Sequence, residues 1–167
     1  MDDATSAKAP DRNRLIVAAI LLGVGLGGLF DGIVLHQILQ WHHMVSTPTP
    51  PSTLENLELN TLGDGLFHAL AWVVTVAGVF TLLSSNGART ETGGPQTLLG
   101  GVLVGWGSFN IVEGIVDHHL LNLHHVRPGP DELVYDLAFL IWGATMLVVG
   151  VILVRTASRS HRSRHEG

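Results

Sequence analysis

The chain has 167 residues, of which 46% are hydrophobic and only 14% charged, whereas soluble domains carry about a quarter charged residues. It contains no cysteine, which excludes a disulfide framework, a thiolate metal site and a cysteine nucleophile. The net charge of −5 says little, because the distribution of sign between loops matters more; no nucleic-acid partner is expected.

In chain order, residues 1–13 are polar and read as a disordered cytoplasmic arm. A first apolar span runs over about 15–41. It continues past Asp31 without an Ala-x-Ala cleavage pattern, so it reads as a retained helix and not as a signal peptide. Pro48, Pro50 and Pro51 break the helix before a second span over about 62–83. The Gly- and Ser-rich loop 84–96 precedes a third span over about 97–123. The turn Arg127-Pro128-Gly129-Pro130 and a cap from Asp131 introduce a fourth span over about 131–154. Residues 156–167 form a basic tail. Each stretch approaches the roughly 20 residues needed to cross a bilayer, and period-two alternation is lacking, which argues against a membrane barrel. The expected fold class is all-α: a four-helix transmembrane bundle.

Basic residues in the short loops orient it. Lys8, Arg12 and Arg14 lie in the arm, Arg89 in the middle loop, and Arg155, Arg159, Arg162 and Arg164 in the tail, while the loop between spans one and two has neither Lys nor Arg. The positive-inside rule places both termini in the cytoplasm and the His-rich ends outside.

Span three repeats span one without gaps at an offset of 82 residues, the separation of Gly23 from Gly105. Asp31-Gly-Ile-Val matches Glu113-Gly-Ile-Val, and His36, His42 and His43 match His118, His124 and His125. This pattern predicts two parallel helical-hairpin repeats about an axis along the membrane normal. Glycines such as Gly23/Gly27 and Gly101/Gly105 have helix-packing spacing.

Eight of the ten histidines lie in three stretches near the same helix ends. At α-helical periodicity, Asp31 and His42 fall within about 20° of each other, and Glu113, Asp117 and His124 repeat that face. His36 and His43 form a second stripe about 120° round, repeated by His118 and His125. Asp64 and His68 start span two and Asp136 starts span four, so up-and-down connectivity gathers all these groups at one membrane face. His42, His43, His124 and His125 are expected at the interface, with His119 facing headgroups. Trp41 suits an interfacial belt, and Trp72, Trp106 and Trp142 suit packing within the spans.

Intramembrane ionisable groups are costly and usually paired. Carboxylate and imidazole donors without thiolate suit copper, iron or zinc, held by Asp31, His36, His42, His43, Asp64, His68, Glu113, Asp117, His118, His124, His125 and Asp136. Asp117 in place of Leu35 predicts tighter binding by the second repeat. A bis-His haem between His36 and His118 fits less well, because surplus acids and histidines suit a small ion better than a porphyrin. A purely structural network and a proton or metal-ion transporter are the alternatives. The near absence of polar groups over 14–28 and 70–83 argues against a full conduit.

The blocks Asp31-Gly-Ile-Val-Leu-His36…Trp41-His-His43 and Asn110-Ile-Val-Glu113-Gly-Ile-Val-Asp117-His-His119…His124-His125, with Asp64-Gly-Leu-Phe-His68 and Tyr135-Asp136, resemble an uncharacterised domain-of-unknown-function family of four-span bacterial membrane proteins. The resemblance covers about residues 14–155 and implies a bacterial inner-membrane location. The association of some relatives with assembly factors of haem–copper oxidases implies copper handling and partners of that kind, with oligomeric state open. The His boxes resemble those of membrane desaturases only weakly, since the His-x-x-His-His spacing is not reproduced.

Overall fold

The computed structural model describes residues 11–165, with side chains to residue 159. Its elements are α1 (Arg12–Phe30) running into a π-helical segment π1 (Asp31–Ile38), α2 (Leu54–Leu83), α3 (Gly94–Glu113) running into π2 (Gly114–Leu120), and α4 (Glu132–His165). Four helical stretches are long and apolar enough to cross a membrane. Of the expected arm, residues 1–10 lie outside the described part, while Arg12 and Asn13 already belong to α1, capped by the Asp11 carboxylate on Arg14 N–H.

Helix order in space differs from helix order in sequence. Among the described residues, α2 packs on α1, α1 on α3, and α3 on α4, with no other direct packing between these four helices. The two inner helices are accordingly buried over 44% and 39% of their most apolar windows, and the outer α2 and α4 over 11% and 17%. The outer pair turns Leu62, Leu66, Leu70, Phe80, Ile141 and Ile152 outward. Trp72 and Trp142 also face outward, at 60% and 58% exposure, and do not pack within the spans as expected. An apolar side chain has no reason to turn inward when the surrounding solvent is hydrocarbon.

The central α1–α3 contact depends on Gly23 and Gly105. A Cβ on Gly23 would land on the Val102 carbonyl and Trp106 N–H, and one on Gly105 on the Ile20 carbonyl and Val24 N–H. The two backbones therefore touch directly. Neither neighbour can yield, because what each glycine meets is main chain.

Both inner helices change character at their acidic residue. The switch to i→i+5 bonding puts residues five apart on one face. Each segment then ends in the same way: Leu39 N–H bonds to Val34 O and Trp41 N–H to Leu35 O, as Leu121 bonds to Val116 and Leu123 to Asp117. Gln40 and Asn122 (φ 49° each) adopt left-handed backbone immediately after. That turn folds the chain back over the helix ends, so the spans stop at Ile38 and Leu120, earlier than 41 and 123. α2 begins at Leu54, earlier than 62, with Thr53 accepting from Asn56 N–H as its cap.

Candidate metal centre

Asp31 and His36 belong to different stripes on an ideal α-helix. In π1 they lie one turn apart, and His36 Nε2 stands 3.1 Å from Asp31 Oδ2. Glu113 and His118 have the same i, i+5 relation in π2. His42 and His124 arrive by another route. They follow the left-handed turns and swing inward from the loops, so their agreement with the Asp31 and Glu113 faces does not arise from helical periodicity. Both were expected at the interface; they are 2% and 0% exposed.

Three imidazoles are held in the same chemical sense. His36 Nδ1–H donates to Asp64 Oδ1 at 2.8 Å, His42 Nδ1–H to the Val126 carbonyl at 2.8 Å, and His124 Nδ1–H to the Met44 carbonyl at 3.1 Å. A neutral imidazole that donates through one nitrogen presents a lone pair on the other. The Nε2 atoms of His42 and His124 are buried and have no hydrogen-bond partner in the structure, and the same holds for both Glu113 carboxylate oxygens. His36 Nε2 instead faces the Asp31 carboxylate, so that ring lies between two carboxylates. His42 and His124 stack face to face across the centre, 4.5 Å apart. Burial, followed by the neighbouring imidazoles, pushes the pKa of His42 down to about 4 and that of His124 down to about 3, so both rings are neutral near pH 7.

The orphan atoms converge. One donor atom from each of His36, His42 and His124, from each of Glu113, His118 and His124, and from each of Asp31, His36 and Glu113 lies within 4.8 Å of the others in its group. Around an ion bonded at about 2.0–2.1 Å, neighbouring donors stand about 3.0–3.4 Å apart. The His36–Asp31 separation of 3.1 Å falls within that range, and the His124–Glu113 separation of 3.6 Å lies just above it. The donor set fits a borderline cation.

A ring of support surrounds this core. Asp64, 1% exposed, accepts from His36, from His43 Nδ1–H (2.7 Å), from Met44 N–H (2.8 Å) and from Gln37 Nε2 (3.1 Å). Asp136 accepts from His125 Nδ1–H (2.6 Å) and Val126 N–H (2.9 Å), with His118 Nδ1 3.4 Å away. Phe67 stacks on His36 at 5.9 Å, and Phe139 lies 5.4 Å from His118. Above the centre, a cavity of about 780 Å³ lined by Trp41, His42, His43 and His125 opens between the loops.

Of the twelve expected ligands, six form the convergent groups: Asp31, His36, His42, Glu113, His118 and His124. Asp64 and Asp136 stand behind the imidazoles, and His43 and His125 lie farther out on those same carboxylates. His68 is outside the groups, its ring lying where a Cβ on Gly32 would fall. Asp117 is half-buried and also outside them, so the reason given for tighter binding by the second half has no geometric counterpart. Sequence reading missed the roles of Gln37 and of Asn60. Asn60 is fully buried and ties Val45 and Thr49 of the first loop to α2. A buried Asn near a helix start was the available signal.

A family model described as predicted membrane protein (DUF2243) matches residues 18–157. The chain belongs to that family, whose members are membrane proteins of uncharacterised function. No curated protein and no solved structure matches it.

Proposed function

We propose that this member of the predicted membrane-protein family is a metal-binding membrane protein. Its centre holds copper, iron or zinc between Asp31, His36, His42, Glu113, His118 and His124. One observation carries the reading: the buried lone pairs of two oriented imidazoles, His42 and His124, converge with buried Glu113 oxygens, all without hydrogen-bond partners. A structural network would consume those lone pairs, as Asp64 consumes the Nδ1 protons. Leaving them unpaired costs about 1–3 kcal/mol each, and a cation compensates them together. Two carboxylates gathered with imidazoles in one dry site are similarly stabilised by positive charge.

Asp64 and Asp136 act in this reading as outer partners that fix imidazole orientation. Equivalent contacts at equivalent positions support an origin in two hairpin repeats, with Asp31/Glu113 and His36/His118 in matching places. Burial of the core histidines to 2% or less favours a resident ion over transported cargo, and hence a redox role. Copper handling for oxidase assembly, expected from the resemblance, is the second reading. In either case the loop-end cavity is the path for the ion. A bound metal would supply Lewis acidity or, for copper or iron, electron exchange.

Elemental analysis of the detergent-purified protein, after exposure to each metal and removal of excess, tests this. Wild type retains stoichiometric metal, and His36→Ala and His124→Ala lose most of it. A metal-free wild type of intact helical content overturns the proposal.

A further inference from the structure

The centre has a second approach, from the side. Because α1 and α4 both pack on α3 and not on each other, a cleft remains between them. It holds a cavity of about 240 Å³ walled by Phe30, Trp106, Tyr135, Phe139 and Trp142, with Asp31 among its lining residues. Toward the loops, Arg127 closes over it, stacked 5.4 Å from Trp41 and 5.3 Å from Tyr135. Its outer rim is lipid-facing: Phe30 is 50% exposed and Trp142 58%.

On the α2 side of α3 an aromatic ring bridges the two helices. At the position equivalent to Gly27 stands Phe109, whose ring packs 6.1 Å from Phe67. A Cβ on Gly27 would instead press on Trp106. So a ring joins α3 to α2 on one side, while the other side holds the cavity of about 240 Å³. The open side ends at the Asp31 carboxylate, which is 2% exposed; its Oδ2 meets His36 Nε2 at 3.1 Å, and a carboxylate has a second oxygen able to accept.

From this geometry we infer that the α1/α4 cleft binds a bilayer-dissolved aromatic molecule carrying a ring hydroxyl, of the phenol or quinol class. The ring lies among the aromatic walls and its hydroxyl donates to Asp31. Aromatic walls favour a flat ring at offset or edge-on contact. A buried carboxylate can accept more hydrogen bonds than one imidazole supplies, and a ring hydroxyl offers the donor that an acyl chain lacks. The inference deepens the metal-centre reading, because Asp31 belongs to both the cleft and the Asp31–His36–Glu113 group.

The test uses full-length protein carrying Trp41→Phe and Trp72→Phe, so that the only emitting tryptophans, Trp106 and Trp142, line the cleft. With zinc loaded and measured by elemental analysis, 2-bromo-4-decylphenol is titrated as a heavy-atom quencher against its methyl ether. The expected result is saturable quenching by the phenol and binding weaker by roughly tenfold or more for the ether, the loss of a hydrogen bond to a charged group. Ala138→Phe, which fills the cleft from its exposed rim, should abolish the saturable component with zinc content unchanged. Equal midpoints for phenol and ether, a purely linear quenching curve, or an unchanged curve in Ala138→Phe would each overturn the inference. Stoichiometric zinc without saturable quenching refutes the cleft alone, and saturable quenching without metal refutes the metal centre alone.

Discussion

Asp64→Asn isolates orientation from ligation. The substitution keeps shape and burial but turns one acceptor oxygen into an NH2 donor, facing either His36 Nδ1–H or His43 Nδ1–H. A donor cannot accept, so the imidazole it faces must lose its anchor or change tautomer, and in either orientation His36 loses the negative charge that strengthens its hydrogen bond. A changed tautomer places the proton on Nε2, where the ion should bind. Loss of such an outer partner costs about 10- to 100-fold in metal affinity. At a metal concentration of 100 times the wild-type Kd, binding stabilises the fold by about 2.7 kcal/mol; for the variant that falls to roughly 1.4–0.4 kcal/mol. The assay is chelator-competed metal titration alongside thermal melts with and without metal. Asp136→Asn should weaken binding less, because His118 Nδ1 lies 3.4 Å from Asp136 without a hydrogen bond. Unchanged affinity in Asp64→Asn, with intact helical content, would refute the claim that this carboxylate orients a ligand.

Three further outcomes follow from the same geometry. Gly105→Leu should prevent α1–α3 docking and cost about 3 kcal/mol or more, whereas Gly65→Ala, with nothing within 4 Å of its Cβ position, should be tolerated in detergent melts. For metal-free protein, His42 and His124 have folded-state pKa values of about 4 and about 3 against an unfolded value near 6.5. The unfolded chain therefore binds more protons between pH 6.5 and 4. The contribution of these two rings to stability should fall as pH drops through that window by up to about 2.7 kcal/mol per unit, and a flat apo melting temperature from pH 6.5 to 4 contradicts the burial argument. Finally, the positive-inside orientation predicts that in right-side-out vesicles an impermeant maleimide labels Ser52→Cys directly and Arg89→Cys only after permeabilisation, with the reverse pattern inverting the topology.

Four apolar stretches, the absence of cysteine and the two matching Asp/Glu–His blocks establish by themselves an all-helical membrane protein with a polar cluster at one end. Those properties depend on transfer free energy and chain length, which are local and additive. The choice among the twelve candidate residues was not local. A constant 100° per residue separates Asp31 from His36; the π register that joins them is a backbone choice with no composition mark beyond the glycines that follow Asp31 and Glu113. Left-handed turns at Gln40 and Asn122 carry His42 and His124 from the expected interface into the core. Lateral helix order α2–α1–α3–α4, set by glycine contacts between backbones, decides which imidazoles share a centre. It also leaves a side cleft between α1 and α4, while Phe109 packs against Phe67 on the α2 side. Only tertiary packing separates the carboxylates that meet the orphan lone pairs from those that stand behind the rings, because that distinction depends on which nitrogen of each imidazole faces inward.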